Sequence, residues 1–243
     1  MLFSWSYFLE AFPKVLKGLP TTLGLTVIAA VFSLLLGTVL ALLNYYKVPV
    51  AVQILKVWSS FIRGTPNVTQ IFFFYYGLAR ISTLVLNMSP VVATGVVMSL
   101  SMSAFMAESI RGALMSVDEG QREAALSLGM TNFQLTTRIV IPQAVRVALP
   151  TLFNDMINLF KMSSLAFTIG IRDVMGNARI ESAASFRFFE TYAIVMIIYW
   201  IFSLLMGMVQ KRLEEKSNAI YSSSTVTKDN KGLLNKKLQK EKN

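Results

Sequence analysis

The hydrophobic positions of this chain fall into five long runs separated by shorter polar segments. About 20 consecutive apolar residues are enough to cross a bilayer as an α-helix. The runs predict membrane helices over about 21–43, from Pro66 towards Leu86, from Pro90 onward, over about 149–171 and over about 192–209. The pattern therefore predicts an all-α integral membrane protein with about five transmembrane helices.

The second predicted span has clear signals for a helix start but a weak apolar run. Thr65 is suited to cap a helix, and Pro66 to occupy its first position, where the missing N–H leaves no hydrogen bond unmade. Arg80 interrupts the run. We expect its side chain to reach the membrane surface or to lie inside the helix bundle.

The ends of the chain differ in composition from the middle. Residues 1–18 are rich in aromatic side chains and predict an interfacial segment outside the membrane, with a loosely ordered leader as the alternative. Residues 19–215 form the predicted transmembrane domain. Residues 216–243 are rich in serine, threonine and lysine and predict a basic, disordered tail that anionic lipid attracts.

The basic residues predict the orientation. Sixteen of the 23 lysines and arginines fall on the side that carries the 116–147 loop and the C-terminus, and six fall on the other, with Lys161 inside a span. Because cytoplasmic loops carry the excess of basic residues, the loop and the C-terminus are predicted to be cytoplasmic and the N-terminus outside. The same rule explains the net charge of +10 without nucleic acid as a partner.

Several kinds of chemistry are disfavoured by composition. The chain has no cysteine and no histidine, which removes thiolate chemistry, disulfides and a histidine general base, and we predict no metal site. It also lacks the GxxxxGK[ST] pattern of a phosphate-binding loop. We therefore expect neither catalysis nor a bound cofactor in this chain.

The polar segment 116–147 carries its own helix signals. Ser116 and Glu119 fit a capping box at the start of one short helix, and Thr131 and Gln134 fit a second. Gly129 is suited to end the first helix. Two short helices joined by a tight turn are therefore predicted.

The same segment matches the spacing EAA-x3-G-x9-I-x-[LI]-P in full. The matching residues are Glu123, Ala124, Ala125, Gly129, Ile139 and Pro142. This resembles the loop by which the permeases of ABC importers dock onto their ATPase. The resemblance implies a separate pair of ATPase subunits that bind ATP and magnesium. We expect Ala124 and Ala125 to enter a groove of that partner, and Arg122 and Glu123 to make charged contacts at its rim.

Further stretches are similar to the polar amino-acid uptake branch of these permeases. They include Gly18–Thr26, Arg63–Pro66 with Gln70–Phe73, Ala107–Gly112, Ser116–Gln121 (with Asp118 where the branch has proline) and Pro142–Pro150. The resemblance covers about residues 18–213. It implies a multi-pass subunit of the bacterial plasma membrane, a second permease subunit in a homodimer or heterodimer, and an extracytoplasmic substrate-binding protein.

One departure from the family bears on the substrate. Lys161-Met162-Ser163-Ser164-Leu165 stands where the family usually has Lys-Asp-Thr-Ser-Leu. The missing carboxylate disfavours a cationic substrate, and methionine is suited to contact sulfur. The run resembles members that take up cystine, so L-cystine or a related sulfur amino acid is the leading interpretation. Glutamine, histidine or arginine remain alternatives, and Met162 is equally suited to fill space between helices.

The polar residues inside predicted spans are the candidates for a substrate path. Asn154, Asn158 and Lys161 share one helical face. Lys161 and Ser163 are suited to bind the carboxylate of an amino acid, and Glu108 or Asn158 its ammonium group. The predicted path is therefore Glu108, Asn158, Lys161, Met162 and Ser163. The alternative is a Glu108–Lys161 ion pair that only holds helices together.

Two other classes of protein are compatible with a polytopic chain. An ion-coupled carrier that needs no ATP is expected to show repeated halves with broken helices, and no repeat is evident. A scaffold protein that recruits a soluble partner through its loop would share the loop but would transport nothing. The loop spacing favours the ATP-driven importer.

Overall fold

A computed structural model describes residues 3–240, with side chains up to residue 215. Every regular element in this part of the chain is helical. The α-helices are α1 Trp5–Leu16, α2 Leu19–Tyr45, α3 Pro49–Gly64, α4 Asn67–Phe72, α5 Thr83–Leu86, α6 Pro90–Met115, α7 Glu119–Ser127, α8 Asn132–Leu135, α9 Ile141–Met162, α10 Val174–Ser185 and α11 Phe188–Lys240. Wider π-helical turns cover Phe73–Gly77 and Thr136–Val140, and 3-10 turns cover Leu78–Arg80 and Ser163–Ile169.

Three helical stretches in the described residues are long and apolar enough to cross a membrane. They are Trp5–Tyr45, Pro90–Met115 and Phe188–Glu215. They contain the first, third and fifth predicted spans, and the third begins at Pro90 as expected. The prediction of an all-α membrane protein is confirmed, and the count of five spans stays a prediction.

The second predicted span begins within one residue of its expected start, at Asn67, but it is not one continuous helix up to Leu86. A helix, α3, already occupies residues 49–64, and the chain breaks at Thr65-Pro66 before α4 begins at Asn67. Thr65 ends α3 instead of capping α4, because the residue before a proline is forced into an extended conformation, here with ψ 140°. Its hydroxyl donates to the Phe61 carbonyl at 2.8 Å.

Gln70 satisfies the backbone groups that this break exposes. Its amide nitrogen donates to the carbonyls of Ile62 (3.1 Å) and Thr65 (3.2 Å), which no longer have helical partners. Its carbonyl oxygen accepts a hydrogen bond from the Ser101 hydroxyl on α6. The break is therefore closed within the protein and tied to a neighbouring helix, as a membrane interior requires.

The fourth predicted span is displaced towards the N-terminus. The α-helix begins at Ile141 rather than near Leu149, ends at Met162 and passes into the 3-10 turns at Ser163. The hydroxyls of Ser163, Ser164 and Thr168 donate to carbonyls three residues earlier, at 2.6–2.7 Å. Such side-chain bonds compete with the α-helical pattern, which explains the tighter winding.

Both ends of the chain are helical where they are described. Within the aromatic segment 1–18, residues 5–16 form α1, which packs against α10 and α11. The backbone of α11 is helical up to Lys240, although composition predicts a disordered tail over 216–243. That segment contains no proline and its last part is rich in lysine and leucine, which favour helix. Residues 241–243 lie outside the described residues.

The centre of the fold is the pairing of α2 with α6. At Gly37 an added Cβ would lie 3.0 Å from the Met106 Cβ and 3.1 Å from the Ser103 carbonyl oxygen. The glycine therefore allows the two helices to approach closely, as small residues do in membranes. Leu25, Met98 and Leu159 join α2, α6 and α9 in one apolar core.

A second set of contacts forms at the start of α2, and we call it the Asp173 junction (Gly18, Thr22, Asp173, Val174 and Gly176). The Asp173 carboxylate caps α10 by accepting from the Gly176 N–H at 2.8 Å, and the Thr22 hydroxyl accepts from the Val174 N–H at 3.2 Å. An added Cβ on Gly18 would lie 2.2 Å from the Asp173 carbonyl carbon. The junction fixes the first turn of α2 against the loop before α10.

Candidate functional site

The candidate coupling loop, residues 116–147, contains the two predicted short helices. Asp118 caps α7 by accepting from the Gln121 N–H at 3.2 Å. The predicted capping box of Ser116 and Glu119 was therefore wrong. Ser116 ends α6 and its hydroxyl donates back to the Ala113 carbonyl at 2.8 Å, so it is not available to α7.

The second predicted capping box is confirmed. The Gln134 N–H donates to the Thr131 hydroxyl at 3.2 Å, and the Thr131 N–H donates to the Gln134 side-chain oxygen at 3.0 Å. Gly129 ends the first helix as predicted, with φ +78°, in the left-handed region that favours glycine. The turn between α7 and α8 thus follows from signals within a few residues of sequence.

The motif's last residues join the loop to α9. Pro142 is the second residue of α9, which directly follows the π-helical turn Thr136–Val140. Proline has no N–H to donate to the Arg138 carbonyl, so the helix widens there instead of keeping its regular pattern. Ile139 packs against the buried cluster beneath the loop, which contains Leu114 and Ala144. The loop is therefore continuous with α9 and not a flexible tether.

The coupling helix α7 has one face against the protein and one face open. Ala125 is only 3% exposed and packs with Leu114 and Val117. Glu123 and Ala124 are exposed, and Leu128 is 84% exposed. The expectation that both alanines face a partner was wrong for Ala125, because adjacent helical residues point about 100° apart.

Arg122 also lies elsewhere than expected. Its side chain is 17% exposed and turned inward, where it donates to the Leu114 carbonyl at 2.8 Å and lies over the Tyr45 ring at 5.0 Å. The predicted rim contact with a partner was therefore wrong for Arg122. Gln121 makes a further hydrogen bond within the chain, on the exposed surface, accepting from the Gln143 amide of α9 at 2.7 Å.

The candidate substrate residues are not brought together in the single chain. Glu108 lies beside a cavity of about 570 Å³ between α2, α3 and α6, which we call the polar cavity. Its other polar lining residues are Asn44, Lys56, Ser59, Ser60 and Arg63. The Glu108 carboxylate is bound by Arg111, with the Nε of Arg111 at 3.0 Å, so the alternative of a Glu108–Lys161 pair was wrong.

The other four candidates divide between the surface and the core. Asn158 and Lys161 are exposed on α9, on the face they share with Asn154. Met162 is 8% exposed and belongs to the central apolar core, and Ser163 is buried with its hydroxyl bonded to the Phe160 carbonyl at 2.7 Å. Met162 therefore packs between helices in this arrangement, as one of the two interpretations expected.

Residues of the polar cavity were missed because α3 was read as a loop. Lys56, Ser59, Ser60 and Arg63 are spaced three, four and seven residues apart, which is the signal of one polar helical face. A partly buried hydrogen bond was missed as well, from the Ser109 hydroxyl to the Asp155 carboxylate at 2.9 Å, joining α6 to α9. No local pattern relates two residues that lie 46 positions apart.

The apolar helices and the exposed two-helix loop together define a membrane permease of the ABC-importer class. The chain belongs to the family described as binding-protein-dependent transport system inner membrane component, which matches residues 33–218. The resemblance stated from the loop spacing is thus confirmed.

Individual relatives and structures agree with this membership. The chain is 42% identical over 221 residues to the probable amino-acid ABC transporter permease protein PatM of Vibrio harveyi, covering 91% of this chain and 99% of that protein. It is 35% identical over 216 residues to the L-cystine transport system permease protein TcyL of Bacillus subtilis, covering 86% and 90%. The crystal structure of an amino acid ABC transporter with histidines superposes with a TM-score of 0.82 at 31% identity, covering 89% of this chain and all of that one.

Proposed function

We propose that this chain is the membrane-spanning permease subunit of an ATP-driven importer that translocates a polar amino acid. It hydrolyses no ATP itself, because a pair of separate ATPase subunits binds ATP and magnesium. A binding protein on the other side of the bacterial plasma membrane delivers the substrate. The loop and the C-terminus face the cytoplasm and the N-terminus faces outward, as the distribution of basic residues favours.

The observation that carries this proposal is the open face of the coupling loop. Leu128 is 84% exposed and Phe133 72% exposed, and the charged Glu123 on the same loop is exposed as well. Apolar side chains that stay open on a structured loop mark a surface for a partner. Glu123, Ala124, Leu128, Gly129 and Phe133 are therefore the residues through which the ATPase binds, while Ile139 and Pro142 hold the loop to α9.

A second permease subunit is supported by α9. Its exposed face carries Asn154, Asn158 and Lys161, and a charged side chain facing lipid near the middle of a bilayer is costly. A second permease copy covers this face and makes it one wall of the translocation path. Glu108 and the polar cavity supply another wall, with Lys56 and Arg63 suited to bind a carboxylate.

The substrate we favour is L-cystine or a related sulfur amino acid. Support comes from the cystine permease among the relatives and from the absence of a carboxylate at position 162. The buried position of Met162 removes direct sulfur contact as an argument. Glutamine, histidine and arginine are the alternatives, and a glutamine permease of Escherichia coli (31% identical) and an arginine permease of Bacillus subtilis (33%) are also relatives.

The test is uptake of radiolabelled cystine into vesicles that contain this chain, its ATPase and its binding protein. We expect uptake that requires ATP, is competed by unlabelled cystine and falls in Glu123→Ala. Uptake without the ATPase would indicate an ATP-independent carrier. Uptake competed by glutamine, histidine or arginine but not by cystine would keep the permease and replace the substrate. Binding of the ATPase without any uptake would indicate a scaffold.

A further inference from the structure

Arg122 contacts two membrane helices from the coupling helix. Its guanidinium donates to the Leu114 carbonyl in the last turn of α6 at 2.8 Å. The same group lies 5.0 Å from the ring centre of Tyr45, the last residue of α2. Its weaker ion pair is with Glu119 on its own helix, at 3.8 Å. One side chain of α7 thus holds the ends of both α2 and α6.

The chemistry of these contacts makes the link directional and strong. The last four carbonyls of a helix lack partners within the helix. A cation placed there also interacts favourably with the negative end of the helix dipole. Within the described residues, the hydrogen bond that the Leu114 carbonyl accepts comes from Arg122. An arginine also stacks on an aromatic ring as a plane, which lysine does not. Both contacts are partly buried, where they are worth more than in water.

The two anchor points lie next to the polar cavity. Asn44, adjacent to Tyr45, lines it from α2, and Glu108, six residues before Leu114, lines it from α6. Six residues of helix span about 9 Å. A displacement of α7 that pulls on Arg122 therefore acts on two walls of the cavity at once.

We propose that Arg122 is a positioning residue that transmits the movement of the coupling helix to α2 and α6, and so couples ATP hydrolysis to opening of the polar cavity. The proposal rests on the proposed function, since it assumes an ATPase that moves α7. Gln121 supplies a parallel bond to α9 through Gln143. The apolar contact of Ala125 keeps α7 seated when Arg122 is removed. Removing Arg122 is therefore expected to interrupt the transmission of movement to α2 and α6 while the ATPase still binds the loop.

The experiment compares transport per ATP hydrolysed in the reconstituted complex. We expect Arg122→Ala to bind the ATPase and hydrolyse ATP at the wild-type basal rate but to lose about tenfold in substrate transported per ATP. Arg122→Lys keeps the charge but loses the flat guanidinium and its fixed fork of donors, and we expect about a threefold loss of substrate transported per ATP. Arg146→Ala is the matched control, because Arg146 is exposed on α9 and its loss leaves both contacts intact.

A second pair of variants breaks the link from the other side. Tyr45→Leu removes the ring under Arg122, and we expect about a threefold loss in substrate transported per ATP. Tyr45→Phe keeps the ring, so we expect the wild-type value of this ratio. An unchanged ratio in both Arg122→Ala and Tyr45→Leu overturns the proposal. So does a loss that only parallels dissociation of the ATPase, since that is a structural role. Failure of the wild-type complex to transport any amino acid with ATP overturns the proposed function instead.

Discussion

The two ends of α2 are held by different kinds of contact. At its end, Tyr45 meets the coupling loop, where the caps and turns join residues three to five positions apart. At its start, Gly18 and Thr22 meet the Asp173 junction, where Thr22 and the Val174 N–H lie 152 positions apart. The 23 residues from Thr22 to Tyr45 separate the two regions by about 35 Å.

The difference concerns what each region tolerates. The coupling loop is built from caps and one left-handed turn, and each contributes little because the open face has room to relax. The Asp173 junction is built from close backbone contact and buried polar groups, so small changes there have no room to relax. We therefore expect mutations at the junction to change global stability and mutations in the loop to change local order.

The largest effect is expected at Gly18. In Gly18→Ala the new Cβ would lie 2.2 Å from the Asp173 carbonyl carbon and 2.4 Å from the Val174 nitrogen, and both are backbone atoms. The helix start or the loop must shift, which we expect to destabilise the fold by about 3 kcal/mol or more. Thermal unfolding of the purified protein in detergent measures this loss.

Gly24→Ala is the matched control for Gly18→Ala. Gly24 lies in the same helix two turns later, and nothing lies within 4 Å of an added Cβ. Because alanine has the higher helix propensity, we expect a neutral or slightly stabilising effect of at most about 1 kcal/mol. Equal losses in the two variants would mean that the junction is less tightly packed than the structure shows.

The next effect is expected at Asp173 and depends on pH. Burial raises the pKa of the Asp173 carboxyl from 3.8 to about 6, although the backbone N–H of Gly176 partly opposes it. One carboxylate oxygen has no hydrogen-bond partner in the described part of the chain. The folded protein therefore keeps this proton over a pH range in which the unfolded chain has released it. This contribution to stability is present below about pH 4 and is lost as pH rises to about 6.

Asp173→Asn tests this dependence. The amide keeps an oxygen that can accept from Gly176 and carries no charge, so we expect the variant to be more stable than wild type by up to about 3 kcal/mol at pH 7. The difference should shrink as pH falls to 4. Unfolding measured from pH 4 to 8 gives both curves, with Glu215→Gln, an exposed acid, as the control. A pH-independent difference between Asp173→Asn and wild type would contradict the buried charge.

The coupling loop and the Asp173 junction also differ in how much of their structure the sequence predicts. The α8 capping box and the Gly129 turn were predicted because their signals lie within four residues of each other. The cap of α7 was assigned to Ser116 because two capping residues compete there, and only the length of α6 decides between them. The Asp173 junction and the Ser109–Asp155 bond were missed because each requires knowing which elements become neighbours, whereas the residues of the polar cavity were missed because α3 was read as a loop.

A smaller effect is expected at Gly129. The left-handed φ of +78° costs a residue with a Cβ about 1–2 kcal/mol, so Gly129→Ala should loosen the turn between α7 and α8. Gly129→Asn should lose less, because asparagine adopts this conformation more readily. Hydrogen exchange of the α7 amides reports the local loss, and Gly112→Ala, at an open helical position, is the control. Equal exchange in all variants would show that the turn does not limit loop order.

The smallest effect is expected at the α8 capping box. Thr131→Ala removes the oxygen that accepts from the Gln134 N–H, and loss of such a cap costs about 1 kcal/mol. The Gln134 side chain still accepts from the residue 131 N–H, so half of the box survives. Thr131→Ser restores the hydroxyl and should restore the wild-type exchange rate of the α8 amides, while global unfolding stays unchanged in both variants. A fall in global stability in Thr131→Ala would mean that the loop unfolds together with the membrane helices. The two ends of α2 would then differ in how strongly their contacts stabilise the fold, and not in whether they unfold separately.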